Sequence, residues 1–278
     1  MSAEDAVLEA ERAARDAKRA AQYADEAAAA IFTARHGLDN ALHLAGEAGE
    51  MSGRGTQAAA ELQFHGEQFA GSQESRRPLM AAEDSTTTVN QRAVAADEMV
   101  TDLRAQLART QDALRTGRRS VDQISRLPGE RHELVDPLKD RLDVLEDAVR
   151  HVDERATEVA GKLAVARGNV GPLVEQSRSY EGLQTSGQTV QSVGQQAARN
   201  LAEAGDGLTG ADGVGQRLES TSPALSQAER ESVELERALR AAANPTQPTQ
   251  QQAAGSAAGE GTFRINPSEP NRGNDYSR

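Results

Sequence analysis

Three side chains in the first part of the chain have the spacing of a metal site. His36, Asp39 and His43 are three and four residues apart, so an unbroken helix would place them on one face. Two imidazoles and one carboxylate can bind a divalent transition metal. However, Gly37 interrupts the triplet, and the sequence shows no partner that would orient the imidazoles. We therefore interpret the triplet as polar surface and predict no metal ligand.

Adjacent carboxylates are the next candidates, because paired acids can act as general acid and base. Glu146–Asp147 and Asp153–Glu154 are such pairs. Catalytic carboxylates need a closed pocket that separates their pKa values, and nothing in the sequence indicates one. The same predicted helix is rich in arginine, which instead favours solvated ion pairs between residues four apart; the arginines are Arg141, Arg150 and Arg155. We predict no catalytic residue and a protein that is not an enzyme.

Other kinds of chemistry are disfavoured by residues that the chain lacks. It contains no cysteine, which excludes disulfides, thiolate metal sites and a thiol nucleophile. The glycine-rich stretches 205–207 and 213–215 lack the preceding strand and the following Lys-Ser/Thr of a phosphate-binding loop. We therefore predict no cofactor. The net charge of −12 argues against nucleic acid as a partner, although Arg76–Arg77 and Arg118–Arg119 are basic pairs.

The composition predicts long, thin helices. The 278 residues include 47 Leu, Ile, Val and Phe, about 17 % of the chain, which is below the roughly 20 % where disorder becomes an alternative. So few large apolar groups cannot fill a broad core. Alanine supplies about a sixth of the residues and strongly favours helix. The excess of arginine over the three lysines, together with the alanine, is typical of a GC-rich bacterial genome.

The N-terminal region is predicted to form a helical module over residues 1–70. Ser2 and Asp5 form a capping pair. The apolar seam of the helix that follows is Val7, Ala10, Ala14, Ala17, Ala21, Ala24, Ala28 and Ile31. Shorter helices over 38–48 and 57–70 are each expected to stop at glycine. Residues 71–88 have no apolar period and are predicted to be a linker.

The strongest pattern predicts a helical hairpin. Heptad spacing runs from about residue 89 to Leu127, and again from Asp136, with Pro137 in the first turn, to about residue 167. A Pro-Gly turn joins the two segments, so we expect an antiparallel pair roughly 50–60 Å long. Its predicted interaction seam consists of Val100, Leu103, Leu107, Leu114, Val121, Ile124, Leu138, Leu142, Leu145, Val149, Val152 and Val159.

Two further helices complete a predicted three- or four-helix bundle over residues 89–243. One is expected from Pro172 to about Ala204, with Gly187 and Gly194 on its seam. Either two backbones meet closely at these glycines or the helix frays, and its glutamine-rich opposite face favours fraying. The other starts at Ser222, with Pro223 in its first turn. Residues 244–278 are predicted to be a disordered tail.

These observations predict an all-α protein, built as an elongated antiparallel helical bundle or coiled-coil hairpin with a disordered C-terminal tail. We expect a non-enzymatic structural or scaffold protein that associates through coiled-coil helices with itself, as a homo-oligomer, or with a heterologous helical partner. The alternatives are a helical protein exported without a signal peptide, a helical leader of a bacterial effector system, and a metal-dependent enzyme in a bundle core. The longest uncharged apolar stretch is only eight residues, so no integral membrane association is predicted. The acidic N-terminus favours a cytoplasmic location and leaves signal-less export open.

Overall fold

Five helices account for almost all of the chain that the structure describes. In this computed structural model the described residues are 3–71, 76–128, 132–177 and 187–243. The helices are α1 (Ala3–Gly71), α2 (Arg76–Ser125), α3 (His132–Ser177), α4 (Gly187–Thr209) and α5 (Val214–Ala243). The described residues contain no strand, so the all-α prediction is confirmed. The predicted disordered tail, 244–278, lies outside the described residues.

The first three helices run alternately up and down. Glu26 in the first half of α1 accepts a hydrogen bond from Ser120 near the end of α2. At the other end of the pair, Arg92 of α2 contacts Met51 of α1. Helix α3 then returns along α2, because Lys139 near its start lies 2.6 Å from Asp122 near the end of α2. The antiparallel arrangement predicted for α2 and α3 is therefore confirmed.

Helices α4 and α5 follow one another and together form the fourth column of the bundle. Both run antiparallel to α3: Lys162 pairs with Glu203 of α4, and Arg141 pairs with Glu231 of α5. The fourth column packs between α1 and α3, while α2 packs between the same two helices on the opposite side. The result is an elongated four-column antiparallel bundle.

Two apolar cores lie one after the other along the bundle. The first core is formed by α1, α2 and α3 together with α5. The second is formed by the other halves of the first three helices together with α4. The turn at 210–213, where the amides of Gly210 and Gly213 bond to the carbonyls of Asp206 and Gly210, therefore lies where one core gives way to the next.

Helix α1 differs from the prediction in its length and in its buried face. It is one helix of 69 residues and does not stop at its glycines. Ala20 and Ala27 are fully buried where Ala21 and Ala28 were expected. The buried heptad positions are Ala17, Ala20, Ala24, Ala27, Ile31, Ala34, Leu38, Ala41, Ala45, Ala48, Ser52, Gly55, Ala59, Leu62 and Gly66. Packing against α2 and the fourth column offsets the cost of about 1 kcal/mol per glycine. Helix α1, predicted as a separate N-terminal module, packs along α2 and the fourth column.

The predicted linker, 71–88, is largely helical. Helix α2 begins at Arg76, and Ala82, Thr86 and Val89 are buried in it. Some of the buried positions are threonine or serine, so the apolar residues alone show no helical period in the sequence. In the helix the Thr86 hydroxyl donates to the carbonyl of Ala82, so its burial leaves no unpaired hydroxyl.

Three prolines predicted to start helices lie inside them. Helix α3 begins at His132 and contains Pro137 and Pro172, and α5 begins at Val214 and contains Pro223. Pro172 therefore does not start a third helix. Each proline is exposed and is followed within two residues by a buried leucine. Burial of the neighbouring leucine offsets the lost backbone hydrogen bond. The glycine-rich stretch with Gly205 and Gly207 likewise lies inside α4.

Candidate interaction surfaces

The predicted interaction seam lies entirely inside a single chain. Its twelve residues are at most 2 % exposed. Val100 and Val159 belong to the second core, and the other ten belong to the first. Residues of α1 and α5 cover the seam that α2 and α3 share. A second chain could reach these side chains only by opening the bundle, so the buried seam is not a surface of the folded chain.

Ion pairs between helices border the seam. Arg118 lies 2.9 Å from Asp143, and Arg104 lies 3.6 Å from Asp153. The Arg141 guanidinium donates two hydrogen bonds of 2.9 Å to Glu231. Arg141 was predicted to pair within α3 and instead connects α3 to α5. These side chains are all partly exposed, so each pair stabilises the fold only slightly.

The acidic side chain of Glu146 in α3 is affected by burial. Its Oε1 atom is buried without a hydrogen-bond partner. Burial raises the pKa of this carboxyl above its ordinary value, and the nearby Arg118 opposes the change. The adjacent cavity of about 60 Å³, lined by Gln111, Arg115 and Arg150 among others, has room for only a few water molecules. This geometry explains the raised pKa but offers no space for an organic substrate.

The side chains of His36, Asp39 and His43 do not form a metal site. The His36 ring packs edge-on against Phe32, with ring centres 4.4 Å apart. The Nε2 atom of His43 lies 3.3 Å from the Glu47 carboxylate, on the exposed side of α1. Within the described ranges, no three His, Cys, Asp or Glu side chains are close enough together to hold a metal ion.

The first turns of α1 extend beyond the rest of the bundle. We name residues 5–15 the α1 tip; every one of them is exposed, and burial begins at Ala17. Asp25 contacts Arg240 of α5, and Glu26 contacts Ser120 of α2. Both of those helices end within about five residues of that level. The tip is therefore a helix roughly 16 Å long that projects past the ends of its neighbouring helices.

The tip repeats the pattern that the bundle buries. Ala6, Ala10 and Ala13 occupy the same heptad positions as Ala17, Ala20 and the buried residues after them. Beside them, Val7 is 60 % exposed and Leu8 is 51 % exposed. The predicted seam used a different register and did not distinguish the tip from the rest of the helix. Extending the heptad positions backwards from Leu62 gives the register of these alanines, but not the fact that the tip projects.

A shallow groove between α1 and α5 is a second exposed surface with apolar side chains. It has a volume of about 360 Å³ and is lined by Ala28, Ala29, Phe32 and Val233 among others. Phe32 is 53 % exposed, which is unusual for a phenylalanine. Arg240 and Asp25, which form an ion pair, border the groove. This surface lies outside the two cores and is accessible in the folded chain.

The fold and these surfaces define the class of the protein as an elongated, all-α antiparallel helical bundle. No family model, no curated protein and no solved structure matches the chain. No helix among the described residues is long and apolar enough to cross a membrane.

Proposed function

We propose that this is a non-enzymatic structural protein that acts through helix–helix association, with itself or with helical protein partners. The α1 tip is the observation that carries the proposal. It is an exposed helix whose alanines have the spacing that packs against neighbouring helices throughout the bundle. The cytoplasmic location expected from the acidic N-terminus is part of the same proposal.

The polar side chains inside the bundle favour a structural protein over an enzyme. Enzymes built in bundle cores place glutamate and histidine on facing helices. Among the described residues, the buried polar side chains are all serines and threonines. Thr221 and Ser232, for example, donate hydrogen bonds to backbone carbonyls of their own helix. Such hydroxyls are satisfied where they are and support packing rather than chemistry.

Photo-crosslinking in the cells that make the protein tests the proposal. A photoreactive amino acid would replace Leu8 in the α1 tip, Ala29 beside the groove, or Ala164 on the exposed side of α3 as the control. We expect the Leu8 position to give a discrete protein adduct, identified by mass spectrometry, and the Ala164 position to give none. If neither Leu8 nor Ala29 yields an adduct above the Ala164 background, the proposed function is wrong.

A further inference from the structure

We infer that the partner of the α1 tip is the tip of a second copy of this chain, paired antiparallel. This inference rests on the proposed function and names the partner. The first argument is geometric. In the bundle, the alanine face of α1 packs against antiparallel helices on both sides, and the tip presents the same face exposed. A second tip in antiparallel orientation reproduces the packing that this face already has further along the helix.

The second argument is charge complementarity within the segment itself. Residues 5–11 contain three acids and no base, namely Asp5, Glu9 and Glu11. Residues 12–19 contain four bases, Arg12, Arg15, Lys18 and Arg19, with Asp16 as the single acid. All four bases are exposed. The segment is therefore acidic at its outer end and basic where it enters the bundle, a distribution complementary to its own reverse.

An antiparallel pair satisfies both arguments in one alignment. When two tips overlap about a two-fold axis near Arg12, Ala10 of one copy lies opposite Ala13 of the other. The acidic end of each copy then lies beside the basic segment of its partner. A parallel pair would instead place acid beside acid and base beside base, which is unfavourable. The Arg15–Glu11 contact within the helix, at 3.7 Å and well exposed, is weak enough to be exchanged for a contact between copies.

The alanine side chains of the tip limit the strength of this association. Alanine buries little apolar area, and the tip is much smaller than the roughly 800 Å² per partner of a stable interface. Charge therefore contributes a large share of the attraction, and exposed charges are screened by salt. We expect a weak dimer that dissociates as the ionic strength rises.

Charge reversal in the full-length chain tests the pairing. One variant carries Glu9→Lys with Glu11→Lys, and the other carries Arg12→Glu with Arg15→Glu. Each variant alone has a tip of nearly uniform sign, whereas an equimolar mixture restores complementarity between unlike copies. All four side chains are exposed, so circular dichroism should show helicity and Tm close to those of the original chain. Sedimentation velocity at low ionic strength would then measure the mass.

The expected results are a concentration-dependent dimer for the original chain, a dissociation constant at least about tenfold higher for either variant alone, and a dimer for the mixture. The inference is overturned by an original chain that remains monomeric at every concentration. It is equally overturned by variants that dimerise as the original does, or by a mixture that stays monomeric. In any of these cases a photo-adduct between Leu8 and a different protein would leave the proposed function intact. An adduct with a second copy would support both.

Discussion

The two cores of the bundle differ in the side chains that fill them. Leucine, isoleucine and valine dominate the first core, whereas alanine supplies about half of the second. In the second core α1 and α4 come so close that a Cβ on Gly194 would lie 2.7 Å from the backbone nitrogen of Gln63. In the first core, a Cβ on Gly117 would meet the Ala30 side chain at an ordinary 3.5 Å.

This difference indicates two ways of stabilising one bundle. A buried leucine stabilises the fold by about 1.5–3 kcal/mol through the apolar area it removes from water. Alanine and glycine remove far less area, so the second core depends on van der Waals contact between closely spaced backbones. The first core should therefore be sensitive to lost volume or added charge, and the second to added volume.

The largest effect is expected from a charge placed in the first core. Leu142 is fully buried there, so Leu142→Asp would bury an unpaired carboxylate. Removing the side chain alone, as in Leu142→Ala, costs about 2–5 kcal/mol, and the aspartate should cost more. Thermal unfolding followed by circular dichroism would show either a strongly lowered Tm or an unfolded chain.

The matched control lies two residues along the same helix. Val144 is 62 % exposed, so Val144→Asp introduces the same charge without burial and should change the free energy of unfolding by about 0.5 kcal/mol or less. Similar losses from Leu142→Asp and Val144→Asp would mean that α3 does not bury the face that carries Leu142.

A single added methyl group should destabilise the second core. In Gly194→Ala the added Cβ would meet the backbone of Gln63, which cannot move aside as a flexible side chain can. Forcing α1 and α4 apart should cost about 1–3 kcal/mol, even though alanine is the better helix former. Chemical denaturation would measure the loss.

The same substitution elsewhere should have the opposite sign. A Cβ added to Gly161 of α3 would point into open space, with no neighbouring atom within 4 Å. Gly161→Ala should therefore stabilise the protein by up to about 1 kcal/mol through helix propensity. A stabilising Gly194→Ala would show that α1 and α4 are not in close backbone contact.

Gly194 also shows where the sequence was insufficient. The sequence allows two explanations for a mid-helix glycine, close approach or fraying, and the glutamine-rich opposite face of the helix favours fraying. The structure has the close approach instead. The deciding fact is that Gln63 of α1 lies opposite Gly194, a contact between residues more than a hundred positions apart. Periodicity within one helix cannot supply such a contact.

The parts of the fold that the sequence predicts correctly are those with large apolar side chains at heptad positions. Every residue of the predicted seam, such as Leu107 and Leu145, is buried, because only one face of such a helix can pack. In α1, alanine occurs on several faces, so the periodic signal allowed a neighbouring register. The α1 tip was missed for a related reason: its alanines match those of the bundle, and only the ends of the other helices reveal that it projects.

Removing a polar contact from the second core should cause a smaller loss of stability. The buried Ser52 hydroxyl of α1 donates a 2.6 Å hydrogen bond to the carbonyl of Leu201 in α4. Ser52→Ala removes this bond between helices at a cost of about 1 kcal/mol, reduced by the higher helix propensity of alanine. Thr33→Ala is the control, since the exposed Thr33 hydroxyl bonds only within its own helix. If denaturation gives equal changes for both variants, the Ser52 bond does not help to hold α1 against α4.

The smallest effect concerns Glu146 and depends on pH. Burial raises the pKa of this carboxyl in the folded chain above the ordinary value of 4.5, so the folded state binds the proton more tightly than the unfolded state does. The stability contributed by this group is therefore greatest below about pH 4.5 and falls as the pH rises through the folded pKa. At neutral pH the partly buried Glu146 carboxylate, whose Oε1 atom has no hydrogen-bond partner, destabilises the fold, and Glu146→Gln should raise Tm slightly. The gain should shrink as the pH is lowered, and Glu154→Gln, on the exposed side of α3, is the control for the substitution itself. A gain for Glu146→Gln that stays constant down to pH 4 would mean that the charge of Glu146 is not the cause of the destabilisation.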